Sequence, residues 1–489
     1  MSSKQLNDKI ILGLKVRQLR QEQKMSFADF AKATGMSVSY LNEIEKGKKY
    51  PKEDKIATLA RALNVEESVL TSTTLPRSLA PVEDLLQSNF LNELPLDLFG
   101  VELPRVVEMI ANAPSKVGAF IATLVDLSRN YALAEENFYF GALRSYLEMH
   151  NNYFEDLEQE AESFVKEHHL PTGMPIHFNT LRRILEEAYA YQVEPEGLKD
   201  YPELHALRAL FVPDSRTFLL NQNLSSAQQC FQVGKELGFN FLNLSDRAFT
   251  SSLLKVENFE QVLSHFKAGY FSAALLINKD TFIQDLQHFF ANPRWDADWL
   301  PNLLKKYDAT PEMLFQRMTN LLPSHFGIED IFIFRFVHKP STGRMKMDKE
   351  LHLNRRHRPH SNSLKEHYCR RWLSFSLLSG LSPEEPFKIG IQHSHYLQSE
   401  DNYLCISIAT AVEEDRFVSV TLGILQNEDT RKKILFSSDP SIPDITVHTT
   451  CERCPLEDCK ERVAAPTEVV KKEKFKKVME RVEELLKKR

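Results

Sequence analysis

Three cysteines near the end of this chain, Cys451, Cys454 and Cys459, stand in the spacing C-x2-C-x4-C. Thiolates are soft ligands, and thiols this close in sequence can turn onto a single metal centre. A tetrahedral zinc site or a cubane [4Fe–4S] cluster needs a fourth ligand, and Cys369, in HYCRRW, is the candidate. Cys230 falls on a half-apolar helical stretch and Cys405 in an alternating strand, where thiols serve packing. The spacing suits zinc and iron–sulfur equally. Six cysteines in 489 residues, half of them in one cluster, do not form the disulfide framework of a secreted protein.

A second group of residues points to base and phosphate contacts. Phe27 to Tyr50 reads FADFAKATGMSVSYLNEIEKGKKY, a helix, a short turn and a second helix. Phe30 and Ala31 in the first helix face Leu41 and Ile44 in the second, Gly35 ends the first, and Ser37 caps the second. A helix laid in the major groove reads base edges through its N-terminal and exposed residues. On that geometry Val38, Ser39, Asn42 and Glu43, with Ser37 at the entrance, meet bases. Ser26, the backbone N–H of Phe27, and Lys46, Lys48 and Lys49 meet phosphates.

Further helices must support this pair. Lys9–Gln23 carries Leu12, Val16 and Leu19 at helical spacing, Lys52–Leu63 carries Ile56, Leu59 and Leu63, and Val65–Leu70 closes the set. With the exit Glu45, Gly47, Lys48, Pro51, residues 9–72 resemble the Cro/repressor-type helix-turn-helix family. The resemblance implies that Arg20 and Glu45 form an internal brace, and that a dimer on a two-fold repeated operator is the binding unit. Residues 1–72 hold 13 Lys/Arg against 9 Asp/Glu, so this end is +4 and the remainder −10 in a chain of net charge −6. A basic head on an acidic body confines nucleic-acid binding to one end. A helix-turn-helix used only for protein contact is the alternative.

The rest of the chain has room for several domains. It contains no run of 18 apolar residues, no signal-peptide core, no P-loop and no dinucleotide fingerprint. The expected location is the cytoplasm, with no membrane partner. A linker with Pro76 and Pro81 leads into a helical stretch dense in aromatics, read as core or dimer interface. From about Glu160 to Lys279 the order is helix, helix, a strand-like pair, then the helix SAQQCFQVGKELGFNFL. This resembles the ImmA/IrrE-type metallopeptidase domain, whose last helix carries H-E-x-x-H: two His bind zinc and the Glu activates its water. Here those positions hold Lys235, Glu236 and Phe239, and His265 stands where the family has an acidic third ligand. Both zinc-ligand positions on the helix are lost, so no catalytic residue is assigned and an enzyme is not expected.

Beyond residue 291 the runs IFIFRF, FKIGIQ, YLCISIATAV and FVSVTLGILQ alternate as strands, predicting an α+β domain of four to six antiparallel strands, with a GAF-like arrangement as one option. The whole order, closing on Cys451, Cys454, Cys459, Arg462 and Pro466, resembles the short-chain fatty acyl transcriptional regulators. That family implies an acyl-CoA effector and an iron–sulfur centre on these cysteines. Arg355, Arg356 and Arg358 would then be candidates for the CoA phosphates, since guanidinium forks match phosphate oxygens. A solvated basic loop is the alternative. The tail carries Phe475, Val478, Met479, Val482, Leu485 and Leu486 at helical spacing and is expected to dock on the body or pair with its copy.

The expected architecture is multidomain: an all-α helix-turn-helix head (1–74), a helical linker and dimerisation region (75–159), a degenerate zincin-like α+β domain (160–290), an α+β sensor domain (291–466) and an amphipathic helix (467–489). The expected function is that of a homodimeric, operator-binding transcriptional regulator. It would answer a metabolite, acyl-CoA by the resemblance, and hold a [4Fe–4S] cluster, or zinc, on its cysteines. The competing readings are a metallopeptidase that cuts a partner and a DNA-binding scaffold with an inert body.

Overall fold

The computed structural model of the chain describes residues 3–72, 135–254, 256–353, 366–382, 384–397, 399 and 401–487. Two compact units emerge, residues 1–146 with 255–263 and residues 147–254 with 264–489.

The head is five helices: α1 (Ser3–Glu22), α2 (Phe27–Thr34), α3 (Val38–Glu45), α4 (Glu53–Ala62) and α5 (Glu67–Thr71). Leu12, Val16, Phe30, Leu41, Ile44, Ile56, Leu59, Leu63 and Leu70 make its core, the residues that helical spacing selects. α1 starts at Ser3, earlier than the expected Lys9. It crosses the end of α3 at Gly13, where a Cβ would stand 2.3 Å from the Ile44 carbonyl oxygen, so only glycine permits the approach. Lys15 is buried in the same helix. Its ammonium donates to the carbonyls of Val69 (2.8 Å) and Ser72 (2.6 Å), which closes the open C-terminal end of α5.

In the second unit, after α6 (Glu135–Met149), α7 (Glu155–Glu167) and α8 (Phe178–Tyr189) precede a small sheet of β1 (Gln192–Glu194), β2 (Ala209–Val212) and β3 (Thr217–Leu220). β3 is central, parallel to β1 and antiparallel to β2. α9 (Ser226–Phe241), opened by a capping box at Ser225, follows, then α10 (Phe259–Leu276). α11 (Lys279–Phe290), α12 (Trp299–Tyr307) and α13 (Pro311–Phe326) lead into the next domain. LLPSHFGIED is thus the end of α13, stopped by Gly327 in the left-handed region, not a turn. α13 is tied to α7 by a fully buried pair: Arg317 donates to both carboxylate oxygens of Glu158, which also accepts from Tyr270 at 2.7 Å. Each partner satisfies the other, so neither charge is left stranded in the core.

The last domain is a six-stranded sheet of β4 (Ile331–Lys339), β5 (Arg344–His352), β6 (Phe387–Tyr396), β7 (Asn402–Glu413), β8 (Arg416–Leu425) and β9 (Asp444–Val447), in the order β5-β4-β8-β7-β6-β9. Every pairing is antiparallel except β6–β9, a departure from the all-antiparallel expectation. α14 (Leu373–Ser379) packs on β6, β7 and β8. Trp372 and Phe375 there meet Phe334, Phe336, Tyr396 and Tyr403 from the sheet. Leu404, Ile406 and Ile408 on the opposite face are buried too, so β7 reads as an unbroken apolar run. α15 (Glu428–Lys433) and the long α16 (Thr467–Lys487) complete the described chain. Among the described residues no helix is long and apolar enough to cross a membrane. Most of the stretch 75–159, expected to be helical, lies outside the described residues, as do Arg355, Arg356 and Arg358.

Candidate nucleic-acid interface and metal centre

The two helices of the head are set by their caps. Ser26 and Asp29 form a capping box on α2: the Ser26 hydroxyl accepts from the Asp29 N–H at 3.2 Å and donates to its carboxylate at 2.6 Å. Gly35 (φ 66°) ends α2, and the Ser37 hydroxyl caps α3 by accepting from the Tyr40 N–H at 3.2 Å. Arg20 donates to both oxygens of Glu45 (2.6 and 2.9 Å) and to the Met25 carbonyl, and stacks 4.1 Å over Phe27. The bond to Glu45 raises the guanidinium pKa further. The pair is an internal brace, as the resemblance implies.

On this frame Leu41, Ile44 and Glu45 face inward, while Ser37, Val38, Ser39 and Glu43 are exposed and Asn42 is half-buried. These are the residues expected to meet bases. Lys46, Lys48 and Lys49 are exposed just beyond. Lys49 lies 3.6 Å from Glu43 and over the Tyr40 ring, so it is already engaged with the helix it follows. Ser26 spends its hydroxyl on the capping box and keeps only backbone groups for a phosphate.

The cysteines come together from two segments. Tyr368 bridges Thr450, the Cys369 N–H donates to the Thr449 carbonyl (3.1 Å), and the Cys451 N–H donates to the His367 carbonyl (2.8 Å). Cys369, Cys451, Cys454 and Cys459 consequently line one cavity of about 320 Å³ with Arg370, Arg371, His448 and Arg462. Arg462 shapes the loop by donating to the carbonyls of Cys451 (2.8 Å) and Cys454 (3.1 Å). Glu366 anchors it from the other segment, accepting from Thr450 (2.7 Å) and Arg453 (2.7 Å). Burial raises the Cys369 thiol pKa. Among the described residues no three His, Cys, Asp or Glu are gathered at single-ion spacing. Cys230 and Cys405 are buried elsewhere, Cys230 donating to the Ile176 carbonyl at 3.4 Å.

In the IrrE-like part the positions of the lost zinc ligands are occupied by cations. Lys235 places its ammonium 2.6 Å from Nε2 of His265 and 3.3 Å from the Ser251 carbonyl. Arg247 donates to both oxygens of Glu236 (2.7 and 2.6 Å) and stacks 3.7 Å over Phe239. Tyr191 donates to Glu236 at 2.8 Å. Burial, then Arg247, lowers the Lys235 pKa to about 7. Burial, then Lys235, holds His265 well below its ordinary value. The sequence reading named Lys235, Glu236, Phe239 and His265 but missed Arg247 and Tyr191, which stand outside the motif and have no spacing to mark them.

Residues 16–70 match the family model described as helix-turn-helix, and residues 192–319 match the IrrE N-terminal-like domain. HTH-type transcriptional regulator RamB of Mycobacterium tuberculosis is 26% identical over 361 residues, 69% of this chain and 70% of its own. The chain is a helix-turn-helix transcriptional regulator. HTH-type transcriptional regulator PrpR of the same species is 22% identical over 335 residues, 66% of each chain. The ImmF control region 10 kDa protein of Bacillus phage phi105 is 33% identical over 64 residues, 13% of this regulator and 71% of its own length. A solved Mycobacterium tuberculosis transcriptional regulator aligns at 17% identity and TM-score 0.46, over 66% of this chain and 92% of its own.

Proposed function

We propose that this regulator binds a two-fold operator as a homodimer through the exposed face of α3 and answers a metabolite, a short-chain acyl-CoA. A centre held by Cys369, Cys451, Cys454 and Cys459 would report redox or iron state. The observation that carries the sensing part is the convergence of these four thiols, from two segments distant in sequence, on one cavity rimmed by arginines. Nearby guanidinium charge favours thiolate over thiol, and a cubane with four thiolate ligands is anionic overall, so the donor set and its surroundings fit a [4Fe–4S] cluster. A shared cavity rather than single-ion spacing favours the cluster over zinc, whose sulfurs crowd at about 2.3 Å from one metal. Such a cluster supplies one-electron chemistry and oxygen sensitivity; the chain supplies four ligands and the Arg462 clasp on their loop. The acyl-CoA effector rests on the resemblance of the closing cysteine motif, with Arg355, Arg356 and Arg358 as the phosphate-binding candidates.

An effector moves a regulator only if it binds one dimer geometry better than another, here by altering the spacing of the two α3 helices. Anaerobic purification followed by iron and sulfide analysis, visible absorption and operator titration with and without acyl-CoA tests the reading. Broad visible absorption and an acyl-CoA-dependent shift in operator affinity are expected; colourless, zinc-containing protein would replace the cluster with zinc.

Peptidase activity is not part of the proposal. With Lys235 and Phe239 in place of imidazoles, and with Glu236 engaged by Arg247 and Tyr191, no free base faces a water. Cleavage of a partner protein in the presence of added zinc, abolished by Glu236→Gln, would reverse this. A DNA-binding regulator of this kind works in the cytoplasm.

A further inference from the structure

α16 is a 21-residue helix whose residues 471–486 are all exposed. Its apolar residues are not scattered. Phe475, Met479, Val482 and Leu486 follow the 4-3-4 spacing of a coiled-coil seam, with Val478 and Leu485 flanking one side and Lys476 and Glu483 the other. Phe475 is 66% exposed and Leu486 71%, although a lone soluble helix gains nothing by presenting such a stripe.

We propose that this face pairs with the same helix of a second copy, running antiparallel. The choice of occupant follows from charge. In an antiparallel pair the seam layers match Phe475 with Leu486 of the second copy and Met479 with its Val482. The flank containing Lys476 then meets Glu483, twice by symmetry, and Val478 meets Leu485 on the other flank. In a parallel pair Lys471 would lie opposite Lys476 and Val478 beside Glu483, unfavourable on both counts. The sequence of the helix is complementary to itself in one direction only. Lys476 lies 3.8 Å from Glu480 on its own helix, an exposed pair that leaves the ammonium free to reach across.

The pairing presupposes the dimeric operator binder proposed above and gives that dimer a specific surface. Sedimentation of the full-length protein tests it. Met479→Glu with Val482→Glu is expected to leave a folded monomer at concentrations where the wild type is dimeric, with circular dichroism unchanged outside α16. Val470→Glu, exposed but off the seam, should remain dimeric. Lys476→Glu should weaken the dimer about tenfold, and adding Glu483→Lys to the same chain should restore it. Undiminished self-association of the seam variant, or a monomeric wild type, overturns the proposal. A tighter Lys476→Glu dimer overturns the antiparallel direction. Seam-dependent binding to phosphatidylserine vesicles without a change in oligomeric state would assign the face to lipid instead. A dimer that forms through α16 yet retards no genomic fragment would sink the operator reading and leave the helix pairing intact.

Discussion

Lys235 and His265, facing each other on α9 and α10 with 2.6 Å between Nζ and Nε2, occupy two places at which the metallopeptidase pattern puts metal ligands. Arg247 does the same for Glu236. Together the two side-chain cations supply the positive charge that a metal would have brought, and the fold keeps its acidic and imidazole groups satisfied without one. The IrrE-like scaffold has become a fixed ion-pair core.

This exchange has a pH signature. Lys235 releases its proton at about 7 in the folded chain instead of 10.5, because of burial and then Arg247. Between those values the unfolded chain holds more protons, so stability attributable to this residue rises with pH across the window and its cost is largest below pH 7. Lys235→Met is therefore expected to stabilise the second unit by on the order of 2 kcal/mol at pH 6.5, with the gain shrinking by pH 9.5. Thermal melts at the two pH values check this; an equal gain at both would show that the charge is not the cause.

Arg20→Ala strands the Glu45 carboxylate, whose side chain is 4% exposed. Loss of one partner of a buried pair costs about 3 kcal/mol, so the head should melt early and DNA binding should fail through unfolding. If the variant head kept wild-type stability, the brace would be ornamental and the packing of α1 on α3 would have to suffice.

Gly13→Ala is the sharper probe of that packing. Its Cβ would lie 2.3 Å from backbone, which cannot swing aside as a side chain can. A loss of about 2 kcal/mol in head stability is expected, against near neutrality for Ala at an open helical glycine such as Gly141. Urea unfolding of the two variants separates the cases.

For DNA, Asn42→Ala and Glu43→Ala should flatten the preference between operator and random duplex. Lys46→Ala and Lys48→Ala should weaken both and lower the salt slope by about one each. Glu43→Ala also releases Lys49 from its 3.6 Å partner, so non-specific affinity should rise in that variant alone. Titrations at several salt concentrations distinguish these outcomes.

For the cysteine centre, Ser at 451, 454 or 459 should abolish the visible chromophore, and Ser at 369 tests whether the fourth ligand is protein. Cys230→Ser and Cys405→Ser should leave it unchanged, since both thiols lie away from the cavity. Arg462→Ala frees the carbonyls of Cys451 and Cys454 and should speed chromophore loss in air several-fold while leaving its initial yield intact.

The head was legible because its rules are local: Ser26 and Ser37 as caps, Gly35 at a positive φ, apolar residues every third or fourth place. What lies between segments was not. Gly13 looks like a defect in α1 until Ile44 is known to sit against it. β5 escaped notice because its Met345 and Met347 alternate with charges on a sheet edge and a bulge opposite Arg335 and Phe336 breaks the period. β9, four residues long and parallel to β6, has too few positions to show any period. Cys369 was found by elimination, whereas Arg247 was invisible: a lone arginine in a loop is ordinary until Glu236 and Phe239 are seen beneath it.

The cysteine loop begins directly after β9, the short outermost ribbon of the large sheet. Whatever grips the thiols therefore also holds a shutter over the hydrogen-bonding groups of β6. Were the grip released, that row of amides and carbonyls would be open to any passing extended chain, and ageing or oxidised preparations would be expected to clump through this border before either unit melts.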